Sequence, residues 1–181
     1  MNWILKVKHW QTFILLFPFM MIGSIDFQGD LENLYWINLI GFSVILIWLF
    51  ILTDELIKIT PKEYGLKTNL YYVNAILFFV VYVGVTYWND GKETSFSGVY
   101  ALIGFYIFYA FLQSFGFACR IIKSLELNRK SKKRESIGYF FFFLFLPIGI
   151  WFIQSKINKL TKKGIEKIPA ANRVDSPRLN D

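Results

Sequence analysis

The nineteen residues 34–52, LYWINLIGFSVILIWLFIL, contain no Asp, Glu, Lys or Arg. As a helix rising about 1.5 Å per residue, the run nearly covers a hydrocarbon core about 30 Å thick, and it has no polar face to show to water. Such a run matches a membrane span better than one helix of an amphipathic bundle. Three further apolar blocks, at about 10–25, 70–87 and 99–118, repeat the pattern, the first being short and carrying Pro18. Hydrophobic residues make up 55% of the chain, and the mean hydropathy of +0.40 excludes an ordinary water-soluble domain. Tyr and Trp gather near block edges (Trp10, Tyr35, Trp36, Tyr71, Tyr72, Tyr87, Trp88, Tyr100), where amphipathic rings suit the headgroup layer.

The net charge of +7 comes from cations between the blocks rather than within them. With four spans and the N-terminal segment inside, Lys6, Lys8, Lys58, Lys62, Lys67 and the cluster at 120–134 fall inside, and Lys92 outside. That is the distribution the positive-inside rule favours. Lys6 and Lys8 before an apolar run have the charge layout of a secretory signal, but no small-residue cleavage site follows and the first alanine is Ala75. The segment is therefore expected to stay as an anchor.

The stretch 139–159, YFFFFLFLPIGIWFIQSKINK, decides the topology. Its apolar core, 139–153, covers roughly 22 Å as a helix and contains Pro147 and Gly149, which weaken a straight one. A full span would carry the tail's cations across the membrane. A stretch that dips in and returns, or lies flat on the surface, leaves Lys92 the only cation outside. The expected fold is an all-α membrane protein: a four-span transmembrane helix bundle with a C-terminal re-entrant or interfacial helix at 139–153, turning at Pro147 and Gly149. The alternative is five spans. Residues 1–153 form the integral membrane domain, 154–168 a basic amphipathic segment, and 169–181 a disordered tail.

No P-loop, Rossmann glycine pattern or nucleophile elbow is present. One histidine, His9, and one cysteine, Cys119, leave no His- or Cys-based metal cluster within a chain, and no cofactor is implied. Both read as membrane-edge residues. The blocks carry no ionisable Asp, Glu, Lys or Arg, which argues against a proton-coupled transporter. Asn38, Ser43, Asn74, Gln113 and Ser114 lie within them; such groups form interhelical hydrogen bonds or, in an oligomer, line a pore.

Arg129, Lys130, Lys132, Lys133, Arg134, Lys156, Lys159, Lys162 and Lys163 are candidate contacts for anionic inner-leaflet lipid, a protein partner or a second copy of the chain. Nucleic acid is disfavoured, because no groove-reading motif accompanies these cations. An enzyme acting on lipid would have only His9, Asp54, Glu55, Glu63 and Glu135 near the interface for acid–base work.

KHWQTFILLF near the start and FLPIGIWFIQSKINK near the end together resemble a group of small bacterial multi-pass inner-membrane proteins of no established activity. That group opens with a KHWQ segment and closes with a PIGIWFIQ segment. The likeness is tight at 8–11 and 147–158; where those proteins tend to place a proline after the glutamine, this chain has Ser155. The resemblance implies an architecture and a bacterial inner-membrane location. The expected function is a non-enzymatic membrane subunit or scaffold that docks a partner through a basic cytoplasmic face. An oligomeric pore or membrane-perturbing effector of defence or toxin type is the alternative, and a lipid-modifying enzyme a further one.

Overall fold

The computed structural model describes residues 3–22, 35–92 and 97–167, with side chains described from Ile4 through Thr161 within those segments. The end of the first apolar block, the side chains of Lys162 and Lys163, and the tail 169–181 lie outside the described residues. Among the described residues every regular element is helical: α1 (His9–Ile22), α2 (Tyr35–Ile59), α3 (Thr68–Trp88), α4 (Tyr100–Leu127), α5 (Ile137–Leu144) and α6 (Leu146–Lys167). Short 3-10 turns precede α1, α3 and α5, at Trp3–Leu5, Lys62–Tyr64 and Lys133–Ser136.

Three helices, α2, α3 and α4, are long and apolar enough to cross a membrane. As described, α1 has 14 residues, about 21 Å of helix, and falls short of the core thickness. Of the four expected spans, three are helices of spanning length, and the first is described over 14 residues as a shorter apolar helix packed between α2 and α6.

Two of the long helices run past their apolar blocks. In α2 the Thr53 hydroxyl donates to the Leu49 carbonyl at 2.7 Å, and Lys58 reaches back to Asp54 at 2.7 Å and Glu55 at 2.6 Å. These are the spacings at which a helix aligns opposite charges. Pro61 and Gly65, the latter in the left-handed region at φ 55°, then turn the chain. The helix α4 continues to Leu127 and ends on Asn128, also left-handed at φ 52°, whose N–H bonds the Ser124 carbonyl.

Direction alternates along the chain. Tyr35 OH meets Asp90 at 3.5 Å where α2 begins and α3 ends. At the other end Tyr72 OH donates to Asp54 at 2.7 Å, and Lys130 Nζ donates to the Gly65 carbonyl at 2.9 Å. The most deeply buried side chains crowd toward this second end: Leu52 and Leu56 of α2, Ile121 and Ile122 of α4, Ile153 and Ile157 of α6. Toward the first end α3 and α4 expose Val80, Tyr87, Trp88, Tyr100, Leu102 and Phe105, the surface a lipid environment covers. Tyr71, read from the sequence as an edge aromatic, is instead buried and stacked on Phe117 with ring centroids 4.9 Å apart.

Residues 139–153 form no single helix. The chain enters as α5, breaks at Phe145 and returns as α6. Tyr139 and Lys156, one on each arm, meet at the same Glu126 carboxylate, and Phe142 stacks on Phe152 at 4.9 Å. The break precedes the expected one: Pro147 sits in the first turn of α6, where a missing N–H costs nothing. The Phe145 carbonyl accepts from the Gly149 N–H at 2.7 Å. Gly149 is where the arms touch, since a Cβ there would overlap the Phe142 carbonyl. The basic segment expected at 154–168 is no separate element; α6 continues through it to Lys167.

Candidate functional site

Because helices alternate and the α5–α6 hairpin returns, one end of the bundle gathers the N-terminal turn, the α2–α3 connection, residues 128–136 and the outgoing half of α6. This basic end is built on polar contacts that join segments far apart in sequence. The Gln154 side-chain amide donates to the carbonyls of Ile4 and Val7, both at 3.0 Å. Asn158, one turn on, donates to Val7 at 3.1 Å. His9 lies against Trp151, ring centroids 4.8 Å apart. Gln11 accepts the Lys8 N–H at 3.0 Å, which caps the start of α1. The segments 8–11 and 147–158 therefore pack on each other.

Glu126 is the second junction. It accepts from Lys156 at 2.5 Å, Lys123 at 2.9 Å and Tyr139 at 3.1 Å, tying α4, α5 and α6 through one carboxylate. Ser131 anchors the loop between α4 and α5: its N–H donates to Ser124 Oγ and its hydroxyl to the Arg120 carbonyl, each at 3.0 Å. Arg129 grips Glu135 through two N–H groups at 2.7 and 3.2 Å, and Glu135 also accepts the Lys132 N–H at 2.8 Å. The Arg129 hydrogen bond, followed by the Lys132 N–H, lowers the Glu135 carboxyl to about 2.

The candidate cations therefore divide. Arg129, Lys130 and Lys156 are engaged inside the protein. Lys132, Lys133, Arg134 and Lys159 are exposed and make no ion pair among the described residues.

Of the polar residues within the apolar blocks, Asn74 and Gln113 come together across α3 and α4 at 3.1 Å, and Tyr106 OH donates to Asn74 at 3.0 Å. Ser114 bonds back to the Ala110 carbonyl in its own helix, and Asn38 and Ser43 are half-buried on α2. A wholly different cavity, about 240 Å³, opens between α2, α3 and α4 among Leu46, Phe50, Ala75, Phe78 and Phe115, with Tyr71 and Ser114 its polar lining residues. Cys119 is fully buried, which withholds its thiol from solvent. No group of three or more His, Cys, Asp or Glu side chains able to hold a metal exists among the described residues.

Glu126, Arg120, Gln154 and Asn158 were not singled out by the sequence pattern. Gln154 and Asn158 did interrupt an apolar helix at a spacing of four, which places both on one face. Compared with protein-family models, curated proteins and solved structures, the chain matches none.

Proposed function

We propose that the chain is a non-enzymatic multi-pass membrane scaffold whose basic end docks an acidic protein partner, and that this end faces the cytoplasm of a bacterial cell. The observation that carries the reading is the division among the cations. Lys132, Lys133, Arg134 and Lys159 make no ion pair among the described residues, yet they stand beside segments pinned by Ser131, Glu135 and Glu126. Cations held on a fixed mount favour an acidic surface through steering and register.

In the same reading α5 and the first turns of α6 re-enter the membrane from the basic side. Phe141, Leu144, Phe145 and Ile148 are exposed around the break, and lipid would cover them as water would not. The eight residues of α5 reach about 12 Å inward, α5 packs against α4, and the turn at the break, where Phe145 and Ile148 are exposed, would need further cover from water or a second subunit. The tip of the PIGIW segment then belongs to lipid, and docking falls to the cations outside it. An oligomeric pore gains less support, because Asn74 and Gln113 are engaged with each other and with Tyr106 inside one chain.

The test is site-specific photo-crosslinking in living cells from position 134 or 159, with position 87 at the opposite end as control. A discrete adduct from 134 and 159, lost on Lys132→Glu/Lys133→Glu and absent from 87, is expected. Adducts from no position, or equally from 87, would overturn docking at the basic end.

A further inference from the structure

A groove of about 310 Å³ runs along α4, between Leu70 of α3 on one side and the start of α5 on the other. Its α4 wall is the stripe Tyr109, Leu112, Gln113, Gly116, Phe117 and Arg120; Lys133, Ser136, Ile137 and Phe140 form the other wall. The residues are sorted by depth. Arg120, Lys133 and Ser136 lie at the basic end, and from there to Tyr109 the α4 wall falls about 16 Å through mostly apolar side chains.

Two features leave the groove open to a ligand. Arg120 Nε is buried and meets no hydrogen-bond acceptor, and neither Arg120 nor Lys133 makes an ion pair among the described residues. The nearby carboxylates are already committed, Glu126 to Lys123 and Lys156 and Glu135 to Arg129. Arg120 and Lys133 thus line one groove with no counter-ion among the described residues, which favours an anionic occupant. The second feature is Gly116, in the middle of the wall: a Cβ there would meet nothing within 4 Å.

We propose that this groove binds one anionic phospholipid, with its phosphate between Arg120 and Lys133 and an acyl chain lying along Leu112, Gly116, Phe117, Ile137 and Phe140. A free phosphate would satisfy the cations but leave the apolar wall uncovered. A zwitterionic lipid would cover the wall but bring a cation of its own to the pair. The lipid would also wedge α5 against α4, so it supports the hairpin. The proposal shares Lys133 with the docking reading but does not rest on it: a phosphate at Lys133 would leave Lys132, Arg134 and Lys159 to a protein partner.

The experiment is native mass spectrometry of the full-length protein, delipidated in mild detergent and titrated with phosphatidylglycerol, phosphatidylcholine or inorganic phosphate. One tightly held phosphatidylglycerol per chain is expected. Arg120→Gln/Lys133→Gln should weaken it by about thirtyfold, the factor for two cations at an anionic headgroup, while Lys159→Gln leaves it unchanged. Gly116→Leu, at a position where an added Cβ meets nothing within 4 Å, should weaken both lipids by blocking the acyl path. Should Arg120→Gln fail to fold, Lys133→Gln and Gly116→Leu still decide. Equal retention of phosphatidylcholine, displacement of the lipid by millimolar phosphate, or full retention in Lys133→Gln and Gly116→Leu would overturn the site.

Discussion

Gln154→Leu keeps the side-chain volume and removes the donor that the Ile4 and Val7 carbonyls share. Val7 retains Asn158, so Ile4 bears the loss. A buried acceptor left unmet costs about 1–3 kcal/mol, partly offset because Leu also removes the buried, unpartnered Gln154 Oε1; the net loss should lower the thermal midpoint in detergent by about 2–5 °C. Lys159→Gln, at an exposed position, should leave it unchanged; equal midpoints for the two variants would mean that α6 does not hold the N-terminal turn. Glu135 supplies a pH test at the same scale. Because its carboxyl is lowered to about 2 by Arg129 and the Lys132 N–H, what it adds to the loop is present above the ordinary carboxylate range and lost as pH falls toward that value. A carbon-13 titration of the Glu135 carboxyl should give that low midpoint, and Arg129→Gln should return it toward the ordinary range. That Gln154 and Asn158 share a helical face was legible in the sequence. Their acceptors were not, because a bond between residues 147 positions apart exists only after the hairpin has returned.

At the scale of elements, the α5–α6 hairpin depends on one missing side chain. Gly149→Ala would drive a Cβ into the Phe142 carbonyl, and backbone cannot yield as a flexible side chain does. Separating the arms to relieve it should cost about 1–3 kcal/mol, in the range of overpacked cores. Gly138→Ala, four residues before that contact and with nothing within 4 Å, should be neutral or slightly stabilising, as alanine is in a helix. Amide hydrogen exchange across 137–146 reads the difference: faster in Gly149→Ala, unchanged in Gly138→Ala, and the contact is unimportant if both resemble the wild type. Pro147 and Gly149 marked this region in the sequence as unable to form a straight span. The break nevertheless falls at Phe145, because proline fits the first turn of the following helix better than the turn itself. Hydropathy likewise found α2 but stopped short of its end, since Asp54, Glu55 and Lys58 look like loop residues until they pair along the helix; past the fourth block, Ile121, Ile122, Leu125 and Leu127 on partly shared faces do indicate the helical extension in which α4 runs to Leu127.

For the whole molecule the decisive observable is which side the basic end faces. With Lys159→Cys in a Cys119→Ser background, an impermeant maleimide should label lysed cells and not intact ones, since position 159 is exposed on the helix that carries Gln154 back to the N-terminal turn. Labelling in intact cells would reverse the orientation proposed here and move docking to the outer face. An all-helical, membrane-compatible chain, its apolar blocks and the segregation of cations between them were determined by the sequence alone. These follow from hydropathy and helix rise, which are local properties of successive residues. Tertiary structure decided which end of the bundle each segment reaches, which cations are internally engaged and which remain exposed, and that Arg120 and Lys133 share a groove. Such relations depend on the closing of α6 against the N-terminal turn and of α5 against α4, contacts between residues far apart in the chain that no local pattern encodes.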